Sequence, residues 1–207
     1  MTSYWWILIP IAGLLGYSAK TYRAYQFQNL GETLVRRALT GYLPSHSWHL
    51  LNNVTLQTPD GTTQIDHVLV SRFGVFVIET KHYRGWIFGD GKSKEWTQVV
   101  WGRKYRFQNP LHQNYRHLKA ITSTLDFLTP EQIFGVVVFT GAAEFKTEQP
   151  SNVYSLEGLL SHLKNLNQEL ITENRMQFCV GRLECIRLAL TQETDIEHRI
   201  NLAKKYR

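Results

Sequence analysis

Cysteine is scarce in this chain, with only Cys179 and Cys185 among 207 residues. That number and spacing exclude a cysteine-based zinc centre. In a reducing cytoplasm no disulfide is expected, and both thiols are expected to pack in the core. Internal repeats and low-complexity tracts are also missing, and no composition shift marks a second domain. Acidic residues are outnumbered, 17 Asp and Glu against 23 Lys and Arg, for a net charge of +6. This surplus favours polyanionic partners, nucleic acid or anionic lipid headgroups, without choosing between them. Roughly 180 residues follow an apolar leading segment, enough for one α/β domain with a proper core.

Charge is absent altogether from Met1 to Ala19, where the sequence reads Tyr4-Trp5-Trp6-Ile7-Leu8-Ile9-Pro10 and continues apolar to Tyr17. From Ser3 to Ala19 a helix would run roughly 25 Å, slightly short of a ~30 Å hydrocarbon core. Aromatic residues at both ends suit the two interfaces, and Lys20 can snorkel. A cleavable signal peptide wants positive charge before the apolar run, whereas here Lys20 and Arg23 come after it. Residues 1–20 are therefore expected to be a single-pass transmembrane anchor, with a buried amphipathic helix as the alternative. The positive-inside tendency then puts residues 21–207 in the cytoplasm.

The densest chemical signal lies between Gln64 and Lys81. Two runs rich in Val, Ile and Phe flank Ser71-Arg72-Phe73-Gly74, which predicts a β-hairpin. With the turn centred on Arg72 and Phe73, Asp66 falls opposite Glu79, and opposed residues have Cβ atoms roughly 5 Å apart. Lys81 shares the Glu79 face by alternation, together with Val68, Val70, Val75 and Val77. Ile65, Leu69, Phe76 and Ile78 are expected on the other face. Two carboxylates this close in an apolar setting need a partner. A divalent cation such as Mg²⁺ would supply one; so would a cross-strand salt bridge in which Lys81 neutralises Glu79 while Asp66 faces solvent.

Around the hairpin the pattern predicts a helix over 28–39 and strands near 48–58, 62–70 and 75–82. Two short strands are expected within 85–108, a helix over 110–128, and a buried parallel strand over 133–139. Helices near 155–174 and 193–206 complete the layout, with 176–190 read as strand rather than helix. Asn109-Pro110 supplies an N-cap and first helical residue, and Gln113 and His117, four apart, share one face of the helix that follows. From Arg84 to Arg106, basic residues alternate with Trp86, Trp96, Trp101 and Tyr105. That suits phosphate contact with base stacking, or equally a set of twisted edge strands with solvated outer faces.

Several of these positions form an ordered series: Gly31-Glu32, Asp60-Gly61, Gln64-Ile65-Asp66-His67, Gly74 to Lys81, Gly85, Trp96, Asn109-Pro110 and Gln113-x-x-x-His117. The series resembles the nuclease-related domain (NERD) family, a branch of the PD-(D/E)XK nuclease superfamily, over about residues 28–140. Gln64-Ile65 stands where the superfamily motif has its Pro, a loss that many members share. The resemblance implies a restriction-endonuclease-like α/β core, a mixed central sheet flanked by helices. It also implies a nuclease that hydrolyses phosphodiester bonds in DNA, or in RNA, with Mg²⁺ or Mn²⁺. Asp66 and Glu79 would hold the metal, and Lys81 would stabilise the phosphate or position the water. Glu32 would be an auxiliary ligand or general base, unless it only pairs with Arg36 on a solvated helix face. Gln113 and His117 would touch the substrate, unless they are ordinary polar surface. The alternative function is a non-cleaving module that tethers nucleic acid or a protein to the membrane.

Overall fold

The computed structural model describes residues 28–189. The expected anchor over 1–20 and the expected helix over 193–206 lie outside that range. Among the described residues no helix is long and apolar enough to cross a membrane.

A helix over residues 28–42, α1, opens the described chain. Three antiparallel strands follow: β1 (Trp48–Thr58), β2 (Gly61–Ser71) and β3 (Gly74–Lys81). Next come β4 (Gly85–Phe88), β5 (Glu95–Val100), β6 (Arg103–Gln108) and α2 (Pro110–Thr124). A single 3₁₀ turn, Pro130–Gln132, leads into β7 (Ile133–Phe139). Two short strands, β8 (Ala143–Phe145) and β9 (Val153–Ser155), precede α3 (Leu156–Lys164) and α4 (Glu173–Ile186).

The main sheet has the order β1-β2-β3-β7-β9, antiparallel on its first half and parallel on its second. Helices cover both faces, because its central strands are apolar on both sides. Val68, Val70, Val75 and Val77 pack with Ile121 of α2 and with Met176, Cys179 and Leu183 of α4. On the other face Leu69, Phe76 and Ile78 meet Val35 and Leu39 of α1 and Leu159 and Leu163 of α3. This mixed sheet between helices fits a nuclease-like core.

A second sheet, β6-β5-β4-β8, grows from the end of the first. Val75 pairs with Ile133, Lys81 with Phe139, Gly85 with Ala143 and Ile87 with Phe145. One parallel register therefore continues across the break between β3 and β4. Gly85 makes the bend at φ +80°, where an added Cβ would lie 2.3 Å from the Val99 carbonyl oxygen; only glycine takes that backbone without strain.

The hairpin turn falls where alternation placed it, with Ser71 opposite Gly74 and His67 opposite Ile78. Other expectations are corrected. Three strands, not two, fill 85–108. The second helix stops at Thr124, with Leu125 as its C-cap. The helix beginning at Leu156 ends at Lys164, and the Leu170 and Ile171 N–H groups then donate to the Arg72 carbonyl, drawing the chain over the hairpin. Residues 173–186 are helical, not strand: Thr172 caps the Arg175 N–H, and Met176, Cys179 and Leu183 bury one helical stripe. Cys185 falls off that stripe and is exposed, while Cys179 is buried as expected.

Ile65 is also corrected, and its reason bears on the site. It packs beside Val68 rather than on the opposite face, and on β1 Leu51 and Val54 likewise share that cluster. Alternation breaks on both strands at the same level, where Asn53 has φ +51°. The register puts Asn53 across from Asp66.

Candidate active site

At that break β2 leaves β3. The last residue pair between them is His67–Ile78, while Ile65 still pairs with Val54 on β1. Asp66 sits at the point of divergence, and its Oδ2 accepts the Thr80 backbone N–H at 2.7 Å. It is half-buried and turned to the strand end, not out to solvent. The Thr80 carbonyl accepts from Gln28 Nε2 on α1, also at 2.7 Å.

Glu79 is 1% exposed and held from two sides. Its Oε1 accepts from Lys81 Nζ at 2.7 Å, and its Oε2 lies 3.1 Å from His117 Nε2. Lys81 Nζ also donates to Gln113 Oε1 at 3.1 Å. The His117 Nδ1 lies 2.8 Å from Thr63 Oγ1, so an Nε2–H tautomer donates to Glu79 and accepts from Thr63. Gln113 and His117 thus belong to the site rather than to ordinary surface. Asn114 between them fixes the helix: its Nδ2 donates to the carbonyls of Val77 on β3 and Val136 on β7, at 3.1 and 3.0 Å. The expected Asn109 cap is present as well, accepting the Leu111 N–H at 2.9 Å.

The charges do not balance. Burial first, then the charges of Glu79 and Glu32, push the Asp66 carboxyl well above the usual aspartate range. Burial and Glu79 likewise raise Glu32. A hydrogen bond from Gln28 and the Lys81 ammonium act in the opposite sense, and Glu32 lines a cleft with Arg36, Asn53 and His67. Burial opposes the charge of Glu79 too, but Lys81 and the His117 hydrogen bond prevail and hold it at about 2. For Lys81, burial pulls downward and is outweighed by Glu79, which keeps the ammonium above the ordinary lysine range.

Three carboxylates against one ammonium leave an excess of negative charge and a set of hard oxygen donors, which suits Mg²⁺ or Mn²⁺. Among the described residues no group of three or more His, Cys, Asp or Glu side chains is placed to hold a metal ion. An ion held by one or two carboxylates with water and phosphate making up its shell fits this arrangement.

Of the six residues expected at the site, Glu79, Lys81, Gln113 and His117 form one hydrogen-bonded set, and Asp66 and Glu32 lie within electrostatic reach of it. Sequence reasoning missed Gln28, Thr63 and Asn114. Gln28 stands four residues before Glu32, and Asn114 lies between two chosen positions, so helical spacing could have found both. Nothing local points to Thr63, which is 54 residues from His117. His67 makes no hydrogen bond to these residues; its Nδ1 lies 2.7 Å from Asn52 Oδ1, and it lines a cleft with Glu32 and Asn53.

Residues 28–140, more than half of the chain, match a family described as the nuclease-related domain. An uncharacterized protein of Bacillus anthracis is 53% identical over 92 residues, which are 44% of this chain and 43% of that protein. The match thus spans less than half of that relative's length. No solved structure matches the chain.

Proposed function

The chain belongs to the nuclease-related domain family, and on that premise we propose that it is a membrane-anchored, divalent-metal-dependent nuclease that hydrolyses phosphodiester bonds, with DNA the first expected substrate and RNA the second. The observation that carries this reading is the meeting of Glu32, Asp66, Glu79, Lys81, Gln113 and His117 from four separate elements at the open end of β3.

Asp66 and Glu79 are the residues to hold Mg²⁺ or Mn²⁺, which when bound supplies Lewis acidity and a more acidic water. Lys81, kept charged, donates to a phosphate oxygen on which negative charge grows in the transition state. Gln113 and Glu79 aim that ammonium, so it needs little reorganisation when phosphate arrives. His117 steadies Glu79, and Thr63 in turn fixes the imidazole. Glu32 is an auxiliary ligand or the acceptor of the proton of the attacking water. Anchoring by residues 1–20, with the catalytic domain on the cytoplasmic side, rests on the uncharged run and on the Lys20 and Arg23 that follow it.

One observation favours a second reading. Both Glu79 oxygens already have protein partners, which would suit a folded module that binds nucleic acid or protein without cutting. The deciding experiment incubates the full chain with circular DNA, linear DNA and RNA in Mg²⁺, Mn²⁺ or EDTA. Metal-dependent cleavage, lost in Asp66→Ala and Lys81→Ala, is the expected result. Nucleic-acid binding without cleavage in either metal would select the tethering module.

A further inference from the structure

The second sheet has one face in the core and one that no described element covers. Ile87, Trp96 and Phe145 pack inward with Val137 and Phe139. Alternation turns Trp86, Phe88, Thr97, Val99, Lys104 and Arg106 outward, and these six line one shallow groove of about 630 Å³. Register sets them in two rows: Trp86 faces Val99, which faces Lys104, and Phe88 faces Thr97, which faces Arg106. Each row carries a ring at one end and a cation at the other, two strand spacings or about 10 Å away. Trp86 is 49% exposed and Phe88 37%. Lys146 extends its ammonium to 5.1 Å from the Trp86 ring.

The tip of the β5–β6 hairpin adds an independent sign. Trp101 is 83% exposed and stands at φ +49°, followed by Gly102 at φ +75°. Asn-Gly is the relaxed choice for such a two-residue turn, and a bulky residue there is strained. Burial does not offset that strain, since the indole lies in solvent with the Arg84 guanidinium 4.3 Å above it. The carboxylates nearby are Glu95, 3.6 Å from Arg106, and Glu144, paired with Lys146. With Arg84 and Lys104 in addition, the face keeps a positive surplus.

We propose that this face is a stacking platform for an unpaired stretch of nucleic acid. Exposed rings interleaved with cations fit bases whose flat faces are free and phosphates that follow them, and a closed duplex hides those base faces.

The test measures binding of the full chain in neutral detergent and EDTA to an oligothymidylate strand, to a duplex of equal length, and to phosphatidylserine vesicles. The strand is expected to bind more tightly than the duplex. Trp86→Ala with Phe88→Ala should weaken strand binding by at least roughly 5- to 150-fold, the range for losing one stacked base. Trp86→Phe, which keeps a ring, should retain most of the affinity and so separates stacking from misfolding. Lys104→Ala with Arg106→Ala should flatten the salt dependence by about 0.7 in log–log slope for each lost phosphate contact. Strand affinity indifferent to the rings would overturn the platform, as would a ring-dependent affinity for vesicles alone. A separate incubation of the wild type with Mg²⁺ keeps the two readings apart. Cleavage with ring-independent binding sinks the platform only, and ring-dependent binding without cleavage sinks the nuclease only.

Discussion

Neutralising the Asp66 and Glu79 carboxylates should move the stability of the metal-free protein in opposite directions. Glu79 is held from 4.5 down to about 2 by Lys81 and His117 against the pull of burial, a shift worth roughly 3 kcal/mol. Glu79→Gln removes that stabilisation and leaves the Lys81 ammonium buried without its counter-charge; breaking such a pair costs about 3–5 kcal/mol. A fall in Tm of roughly 10 °C follows for a chain of this size. Asp66 has the reverse sign, since burial and the charges of Glu79 and Glu32 raise it, so its ionised form opposes folding. Asp66→Asn keeps an oxygen for the Thr80 N–H and removes the charge. Relief of this kind stabilises by about 1 kcal/mol, a Tm gain of roughly 2–4 °C. The linkage signs follow. The contribution of Asp66 is present below its ordinary value of 3.8 and lost as pH rises through its elevated pKa. That of Glu79 is present above 4.5 and lost as pH falls toward 2. Calorimetry in EDTA across acid to neutral pH should therefore show the wild type losing stability as Asp66 ionises, and Asp66→Asn losing less. Mg²⁺ should raise the wild-type Tm and leave that of Asp66→Asn nearly unchanged. A lower Tm for Asp66→Asn in EDTA at neutral pH, or an unchanged Tm for Glu79→Gln, would refute the charge account.

Lys81→Ala should reduce single-turnover cleavage by about 10²–10³-fold, the range for losing one preorganised donor to a developing oxyanion; a loss below tenfold would remove Lys81 from the chemistry. In Gly31→Ala the new Cβ would stand 2.7 Å from His82 Cβ and 2.9 Å from Thr140 Oγ1. Lifting α1 off the strand ends should cost about 1–3 kcal/mol, measurable by denaturant titration, and should slow cleavage by displacing Glu32. Trp101→Asn should stabilise the β5–β6 turn by about 1 kcal/mol while weakening the binding of an unpaired strand. A variant that gains stability and keeps full strand affinity would show the indole to be idle.

What could be read from the sequence was local. Alternation and a two-residue turn sufficed to place Arg72-Phe73 at the hairpin tip, because a one-residue slip would turn every valine to the wrong face. The same period aligned Lys81 with Glu79, and an N-cap with a four-residue spacing brought Gln113 and His117 to one side of α2. Contacts that close long loops were not legible: Thr63 with His117, and Gln28 with Thr80, are separated by 54 and 52 residues. The second sheet was hidden for a related reason, since β8 is three residues long and acquires its strand character only by pairing with β4. The helix over residues 173–186 is not legible from 176–190 alone, because its cap, Thr172, lies upstream of that stretch.

The break in alternation explains why these carboxylates are where they are. Had β2 kept its register with β3, Ile65 would stand opposite Thr80 and the backbone groups of both would join the ladder. Instead Asn53, in the left-handed region, bends β1, and β2 follows β1 away from β3. Thr80 is left facing no strand on that side. Its N–H goes to Asp66 and its carbonyl to Gln28, so two buried polar groups are satisfied by side chains that the site requires. Asp66 is fixed by a backbone donor, not by a cation. The same divergence opens the strand end toward Glu32 of α1 and Gln113 of α2. A substitution that restored regular pairing here, such as Asn53→Val, would therefore act on the site through the backbone, by returning the Thr80 N–H to the ladder and releasing Asp66.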